Sequence, residues 1–302
     1  MGWIGLVLLA GIVLLLLWPR IAEARRGLPD RRKAPGEMVA LPDGATHALW
    51  HGPARGPVIV AIHGIATPLP LWDRLAPELA EIGYRVLTYD LYGRGYSDNA
   101  PGEQDAALFL RQLDGLLDHY GIGEDVTLLG HSLGGAIATA WAAANPGRVK
   151  RLLLVAASGV EASNPRGLRF MLDTPGAGDR LFAFAAPRVL RRSMGGDPVL
   201  AALPDGELRR RGFLAAVLSS LRHMGRQRQE AAHRALAAAG VPVVAIWGEA
   251  DPTVPRRAPG TLAAWNRAAK QEMVPGGGHY LPLTHPGEVA ALLRDILRED
   301  WQ

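Results

Sequence analysis

The stretch Val126-Thr-Leu-Leu-Gly-His-Ser-Leu-Gly-Gly135 constrains this chain more than any other. Val126 to Leu129 is an apolar run suited to a strand covered on both faces, and it stops at Gly130. Ser132 follows at once, then two glycines and the alanine-rich segment Ala136 to Ala144, which has helical composition. Strand, sharp turn and helix in so few residues bring backbone against backbone, and Gly130 and Gly134 leave no Cβ in the way. Ser132 is expected at the tip of a strained turn, its hydroxyl clear of the main chain, as in a G-x-S-x-G elbow. Leu133 would turn its amide into the same space from a helix N-terminus, where partial positive charge favours an oxyanion. A motif of this form arises by chance in roughly one in ten chains this rich in glycine, so its meaning depends on partners elsewhere.

The chain in order supplies a framework. Glu37 to Leu41 and Thr46 to Trp50 flank Pro42-Asp-Gly44, a hairpin signal. Pro57 to Ile62, Tyr84 to Tyr89, Val126 to Leu129 and Val149 to Ala156 are short apolar strands separated by helical patterns at Leu71–Ile82 and Glu103–His119. The alternation resumes with a strand at Val241–Trp247, a helix at Thr261–Ala269, a short strand at Gln271–Val274 and a last helix at Pro286–Arg298. Strands alternating with helices over short connections predict an α/β fold, a mostly parallel sheet flanked by helices. In such sheets functional groups gather at the carboxyl ends of the strands, where His63, Asp90, Ser132, Asp251 and His279 all fall.

Between Gly159 and Gly240 the alternation breaks into helical segments, which read as an inserted helical cap over the sheet. Thirteen arginines against seven acids give the insertion +6, more than the +4 of the whole chain. A solvated arginine face is the plain reading, and contact with an anionic membrane surface the sharper one. The basic residues form no aromatic-interleaved strip, so nucleic acid is not expected as a partner. The absence of Cys rules out disulfides, thiolate metal sites and a Cys nucleophile.

The first 19 residues carry no charge, and Trp3 to Trp18 is a Leu/Ile/Val/Gly run, long enough as a helix to be expected to span a bilayer. Arg20, Arg25, Arg26, Arg31, Arg32 and Lys33 flank only its C-terminal side, which would leave the body in the cytoplasm at the inner face. The rival is a cleaved signal peptide with export, for which Ala22-Glu-Ala24 offers a small-x-small site, although no Lys or Arg precedes the apolar run. The expected organisation is a transmembrane segment at 1–19, a basic linker at 20–36, a core at 37–158 and 241–302, and the cap at 159–240.

Serine is a poor nucleophile at neutral pH and needs a base, itself oriented by a carboxylate. His279 is the candidate base, since Val274-Pro-Gly-Gly-Gly-His279 sets it on a glycine turn just after a strand. His285, its rival, precedes Pro286 and reads as the start of a helix. Trp247-Gly-Glu-Ala-Asp251 ends a strand on a turn, with Asp251 the candidate acid and Glu249 the alternative. The order Ser132, Asp251, His279 is that of an α/β-hydrolase.

From about Val58 to Arg298 the chain resembles the α/β-hydrolase superfamily. Gly130-His-Ser-Leu-Gly-Gly135 is similar to the elbow of lipases, esterases and monoacylglycerol-lipase-like enzymes. His63-Gly64 resembles the H-G motif, which implies Ile65 as a second oxyanion amide beside Leu133. Asp90-x-x-Gly-Arg-Gly-Tyr-Ser97 resembles an architectural loop of the family. The resemblance implies a serine hydrolase that cleaves a small-molecule or lipid ester through Ser132, Asp251 and His279, with no metal and no cofactor. C–C bond hydrolases and peptidases or amidases with the same triad are the alternatives, and a non-catalytic binding protein the last, since every catalytic position is filled.

Overall fold

The computed structural model describes residues 2–161 and 166–298. Residues 1, 162–165 and 299–302, which belong to the expected segments, lie outside the described residues. A first helix, α1 (Gly2–Ala24), precedes the hairpin of β1 (Glu37–Leu41) and β2 (Gly44–His51). Then come β3 (Val58–Ile62), α2 (Leu75–Glu81), β4 (Arg85–Tyr89), α3 (Ala106–His119), β5 (Val126–His131), α4 (Leu133–Ala144) and β6 (Val149–Val155). The insertion carries α5 (Arg166–Asp173), α6 (Ala177–Ser193), α7 (Pro198–Leu208), α8 (Phe213–His223) and α9 (Glu230–Ala238). The chain returns through β7 (Val243–Gly248), α10 (Ala258–Trp265), β8 (Lys270–Val274), α11 (Leu281–Thr284) and α12 (Pro286–Arg298). Asp105 caps α3 by accepting from the Leu108 amide at 2.9 Å, which starts that helix three residues later than the apolar pattern suggests.

The eight strands form one sheet in the order β1-β2-β4-β3-β5-β6-β7-β8. Pairings β1/β2 and β2/β4 are antiparallel, and every other pairing is parallel. Successive residues of a strand face opposite ways. Val60 and Ile62 of β3 therefore join Leu128, Phe109 and Trp141 in one core layer. Ile59 and Ala61 join Leu129, Trp72 and Leu293 in the other. All six residues of β5 are buried, so each apolar side chain there contributes about 1.5–3 kcal/mol. With both faces covered, β5 is the rigid floor from which the following turn projects.

The insertion is packed into this body. Phe182, Leu208, Phe213 and Leu214 belong to the same core layer as Ile59 and Leu129. Polar contacts seat it further: Glu207 accepts from the Gly95 amide with both carboxylate oxygens at 3.2 Å, and Arg210 donates to the Gly95 carbonyl at 3.0 Å and to Asn99 Oδ1 at 2.6 Å. Several of its arginines are neutralised within it, as in the pairs Arg191–Asp205, Arg222–Asp179 and Arg226–Asp173.

The N-terminal expectation is corrected. Among the described residues no helix is long and apolar enough to cross a membrane, so an anchor over residues 3–18 is not carried by the structure. The physical reason lies at the C-terminal end of α1, which contains Pro19, Arg20 and Glu23 and is used for docking. Glu23 accepts from the Gly212 amide at the start of α8 and pairs with Arg26. The orientation inferred from flanking positive charge falls with the anchor. The basic stretch that follows lies along the insertion and the loop after β4: Gly27 bridges Arg210, the Arg211 amide donates to the Gly27 carbonyl at 2.8 Å, and Arg31 pairs with Asp98 of that loop at 2.6 Å.

Candidate active site

The turn after β5 is tight because β5, α4 and β3 meet without side chains between them. A Cβ on Gly130 would strike the backbone of Gly134 and Gly135, and one on Gly134 would strike the Ile62 carbonyl. Ser132 adopts φ 50° and ψ −118°, a left-sided conformation that a non-glycine residue holds only when its surroundings enforce it. They do so here: the Ser132 amide donates to Val155 O at 3.2 Å, and its carbonyl accepts from the Gly135 and Ser158 amides at 2.9 Å each. Ser132 Oγ also lies 3.5 Å from Ser158 Oγ.

Behind β8 the turn Gly276-Gly277-Gly278 carries His279 back over the elbow. Ser132 Oγ lies 3.0 Å from His279 Nε2, and His279 Nδ1 lies 2.9 Å from Asp251 Oδ2. The network assigns the tautomer: Nδ1–H donates to the carboxylate, and Nε2 accepts from the serine hydroxyl. Asp251 Oδ1 accepts from the Thr253 and Val254 amides at 2.6 and 3.0 Å. Burial opposes ionisation of Asp251, but His279 and those two amides outweigh it and hold the carboxyl below its usual range. Ser132 and His279 are buried.

The alternatives from sequence lie elsewhere. Glu249 is exposed and accepts from the Gly276 amide at 2.9 Å, bracing the glycine turn. His285 bonds Thr284 Oγ1 at 2.9 Å and sits at the start of α12. Leu133 follows the serine as the first residue of α4, and neither its amide nor that of Ile65, the two donors the motifs name, is taken by an acceptor among the described residues. His63 shapes the Ile65 loop: its Nδ1–H donates to the Gly64 carbonyl at 2.7 Å, and its Nε2 accepts from the Leu91 amide at 2.9 Å. Among the described residues no group of three or more His, Cys, Asp or Glu could hold a metal ion.

Two contributors were not singled out by sequence reasoning. His131 Nε2–H donates to the His279 carbonyl at 2.8 Å, tying the base loop to the elbow. His47, expected only as part of a strand, bonds Asp90 at 2.7 Å. Burial alone would lower its pKa, but the Asp90 carboxylate and the Pro35 carbonyl outweigh burial and raise it. His131 stood inside the elbow motif, so its position was visible. Its partner, 148 residues away, was not.

Three buried histidines set an acid limit on stability. Burial pushes His63 and His233 down to about 4, and burial with the nearby His279 pushes His131 down to about 3. Their folded pKa values lie below the unfolded ones, so unfolding takes up protons, and stability falls as pH drops from about 6.5 toward 4. Glu207 works the other way, since burial raises it to about 7 and its contribution is lost as pH rises through that value. His47, raised by Asp90, stands with Glu207, and the three downward shifts outweigh these two upward ones. The urea midpoint is expected to be lower at pH 5 than at pH 7.5, and His233→Leu to flatten that dependence. A midpoint independent of pH over this range would refute the account.

Cavity size does not mark this site. A cavity of about 1260 Å³ lies between the end of α1, α6 and α8, and one of about 820 Å³ lies beside Leu69, Tyr96 and α7. Neither is lined by Ser132 or His279. The hydrogen-bonded line through three distant segments identifies the chemistry better than concave volume does.

Residues 59–292 match the model of the Alpha/beta hydrolase family. The chain is 30% identical over 262 residues to the 2-hydroxymuconate semialdehyde hydrolase of Pseudomonas sp. (strain CF600), covering 82% of this chain and 89% of that protein. A solved structure from a study of carboxylesterases of Nitrososphaera gargenis is similar with a TM-score of 0.71 and 21% identity, over 86% of this chain and 97% of that one. A solved membrane phospholipase A, described as a bacterial virulence factor, is similar with a TM-score of 0.73 and 21% identity, over 98% of this chain and 97% of that one. At such identities the structural likeness speaks for the fold alone. These similarities do not single out the monoacylglycerol-lipase-like subtype that the elbow suggested.

Proposed function

The chain belongs to the alpha/beta hydrolase family and is a hydrolase, and we propose that it cleaves carboxylic esters, small or lipid, through an acyl-enzyme on Ser132. The observation that carries this reading is the line Ser132 Oγ–His279 Nε2, His279 Nδ1–Asp251 Oδ2, at 3.0 and 2.9 Å. Ser132 Oγ attacks the ester carbonyl as its proton passes to His279 Nε2. Asp251 keeps the ring in the Nδ1–H tautomer and stabilises the imidazolium. The Ile65 and Leu133 amides hold the tetrahedral oxyanion. His279 then protonates the departing alcohol, and water, deprotonated by the same ring, releases the acid and restores Ser132.

The ester class draws its support from Gly130-His-Ser-Leu-Gly-Gly135, which resembles the elbow of lipases and esterases. A second reading, a C–C bond hydrolase, is favoured by the 30% identity to a 2-hydroxymuconate semialdehyde hydrolase. Amides are the third substrate class for the same machinery. A panel of p-nitrophenyl esters of increasing acyl length, matching anilides and 2-hydroxy-6-oxodienoates decides among them. Ester turnover at least about 100-fold above the other classes in kcat/KM is expected. A preference for the dienoates would replace the ester reading with the C–C one.

The geometry makes a separate prediction for the acid. In Asp251→Asn the amide oxygen still accepts from Thr253 and Val254, so the amide nitrogen faces His279 Nδ1. That donor forces the ring proton onto Nε2, where it can no longer accept from Ser132. A loss of about 10⁴-fold in kcat with the thermal midpoint little changed is expected. Retention of more than a tenth of wild-type kcat would remove Asp251 from the mechanism.

A further inference from the structure

The loop Asp90–Ser97 resembles an architectural element, yet it buries a whole guanidinium against the Ile65 carbonyl. Arg94 has no exposed surface. Its Nε donates to the Ile65 carbonyl at 3.0 Å. Nη1 donates to Tyr92 O at 2.7 Å and Gln104 Oε1 at 3.1 Å, and Nη2 to Ser220 Oγ at 2.7 Å and Ala216 O at 3.4 Å. Ser220 donates its own hydroxyl proton to Ala216 O at 2.9 Å, leaving a lone pair for Arg94. All five acceptors are neutral. Glu207 spends its two oxygens on the Gly95 amide.

Burying a cation without a carboxylate in contact costs several kcal/mol before its hydrogen bonds offset it, and an apolar side chain of similar size would fill the space without that cost. What the guanidinium adds is direction. The amide of Ile65 lies in the peptide plane whose carbonyl, Gly64 O, is held by His63 Nδ1–H at 2.7 Å. The next peptide plane, carrying Ile65 O, is held by Arg94. With both planes clamped, the direction of the Ile65 N–H is fixed. Through Ser220 and Ala216 the same side chain is bonded to α8 of the insertion.

We propose that Arg94 is a positioning residue that aims the Ile65 amide at the oxyanion and couples that aim to the seating of α8 through Ser220. The proposal rests on the reading of Ser132 as nucleophile and Ile65 as oxyanion donor. It gives the insertion a part in rate as well as in shape, because movement of α8 would loosen the donor that stabilises the transition state.

The test compares Arg94→Met, Arg94→Lys and Ser220→Ala in the full chain with the best ester of the panel. Alongside it, inhibition is measured with a trifluoromethyl ketone of the same acyl chain, whose hemiketal oxygen takes the oxyanion position. Arg94→Met is expected to lose about 100-fold in kcat with KM changed less than about threefold. Arg94→Lys, which keeps one donor, recovers part of the loss. Ser220→Ala, which removes one of the five acceptors of the guanidinium, loses about fivefold. Affinity for the ketone falls in step with kcat/KM across the series, which a loss of folded protein would not produce. If Arg94→Met does not fold, the other two variants carry the test. Folded variants with kcat and ketone affinity within twofold of wild type overturn the proposal. Ser132→Ala is the separating control: a fully active S132A sinks the serine reading itself, whereas an inactive S132A beside wild-type-like Arg94 variants sinks only the role of Arg94.

Discussion

Ser132→Ala is expected to lower ester turnover by about 10⁴-fold or more while leaving the fold intact. The serine is held by its backbone, through Val155 O, the Gly135 amide and the Ser158 amide, so deleting the hydroxyl removes chemistry and little packing. Among the described residues the hydroxyl within hydrogen-bond reach of Ser132 Oγ is that of Ser158, at 3.5 Å. Among the described residues no hydrogen bond joins Ser158 to His279, whose Nε2 is directed at the Ser132 position, so Ser158 lacks the base. Covalent labelling by a fluorophosphonate gives an independent measure, since only an activated serine reacts at a useful rate. Labelling of wild type and none of S132A is the expected pair. Persistence of most turnover in S132A would reject the acyl-enzyme mechanism.

The second large effect is on folding. In Gly134→Ala the added methyl would land against the carbonyl of Ile62 and close to that of His63. Both belong to backbone at the end of β3, which is paired with β4 on one side and β5 on the other and cannot retreat. Overpacking against side chains costs about 1–3 kcal/mol, and against fixed main chain a cost of about 4 kcal/mol or more is expected. That is a large share of the stability of an ordinary domain. The urea midpoint should collapse or the protein should fail to accumulate in folded form. Gly123→Ala is the matched control, because a methyl there meets nothing within 4 Å. Equal midpoints for the two variants would show that the elbow tolerates what its geometry forbids.

How much of this was legible depended on whether a residue's role is local. The strand–turn–helix at Val126 to Ala144 was readable because glycine spacing and apolar runs act within a few residues. Asp251 and His279 were readable because each follows a strand at its carboxyl end, where the parallel sheet gathers side chains. The choice between Asp251 and Glu249 rested on family order, and its physical basis appeared only when the Gly276 amide was found on Glu249. The pairing of β2 with β4 was also hidden, since nothing in a hairpin's sequence names the edge it will join. The apolar run at the N-terminus counted residues without revealing that Glu23, at the end of its helix, serves α8.

By itself the sequence determined the α/β alternation, the elbow and the chemical types available to it, because periodicity and backbone permissiveness are properties of neighbouring residues. Only the tertiary structure decided which groups meet. Arg94 reaches Ile65 and Ser220, 29 and 126 residues away, and His131 reaches His279 across 148. Such buried polar groups must find partners on whatever backbone the fold brings beside them, and that proximity is a product of strand order and helix seating, which no local pattern encodes.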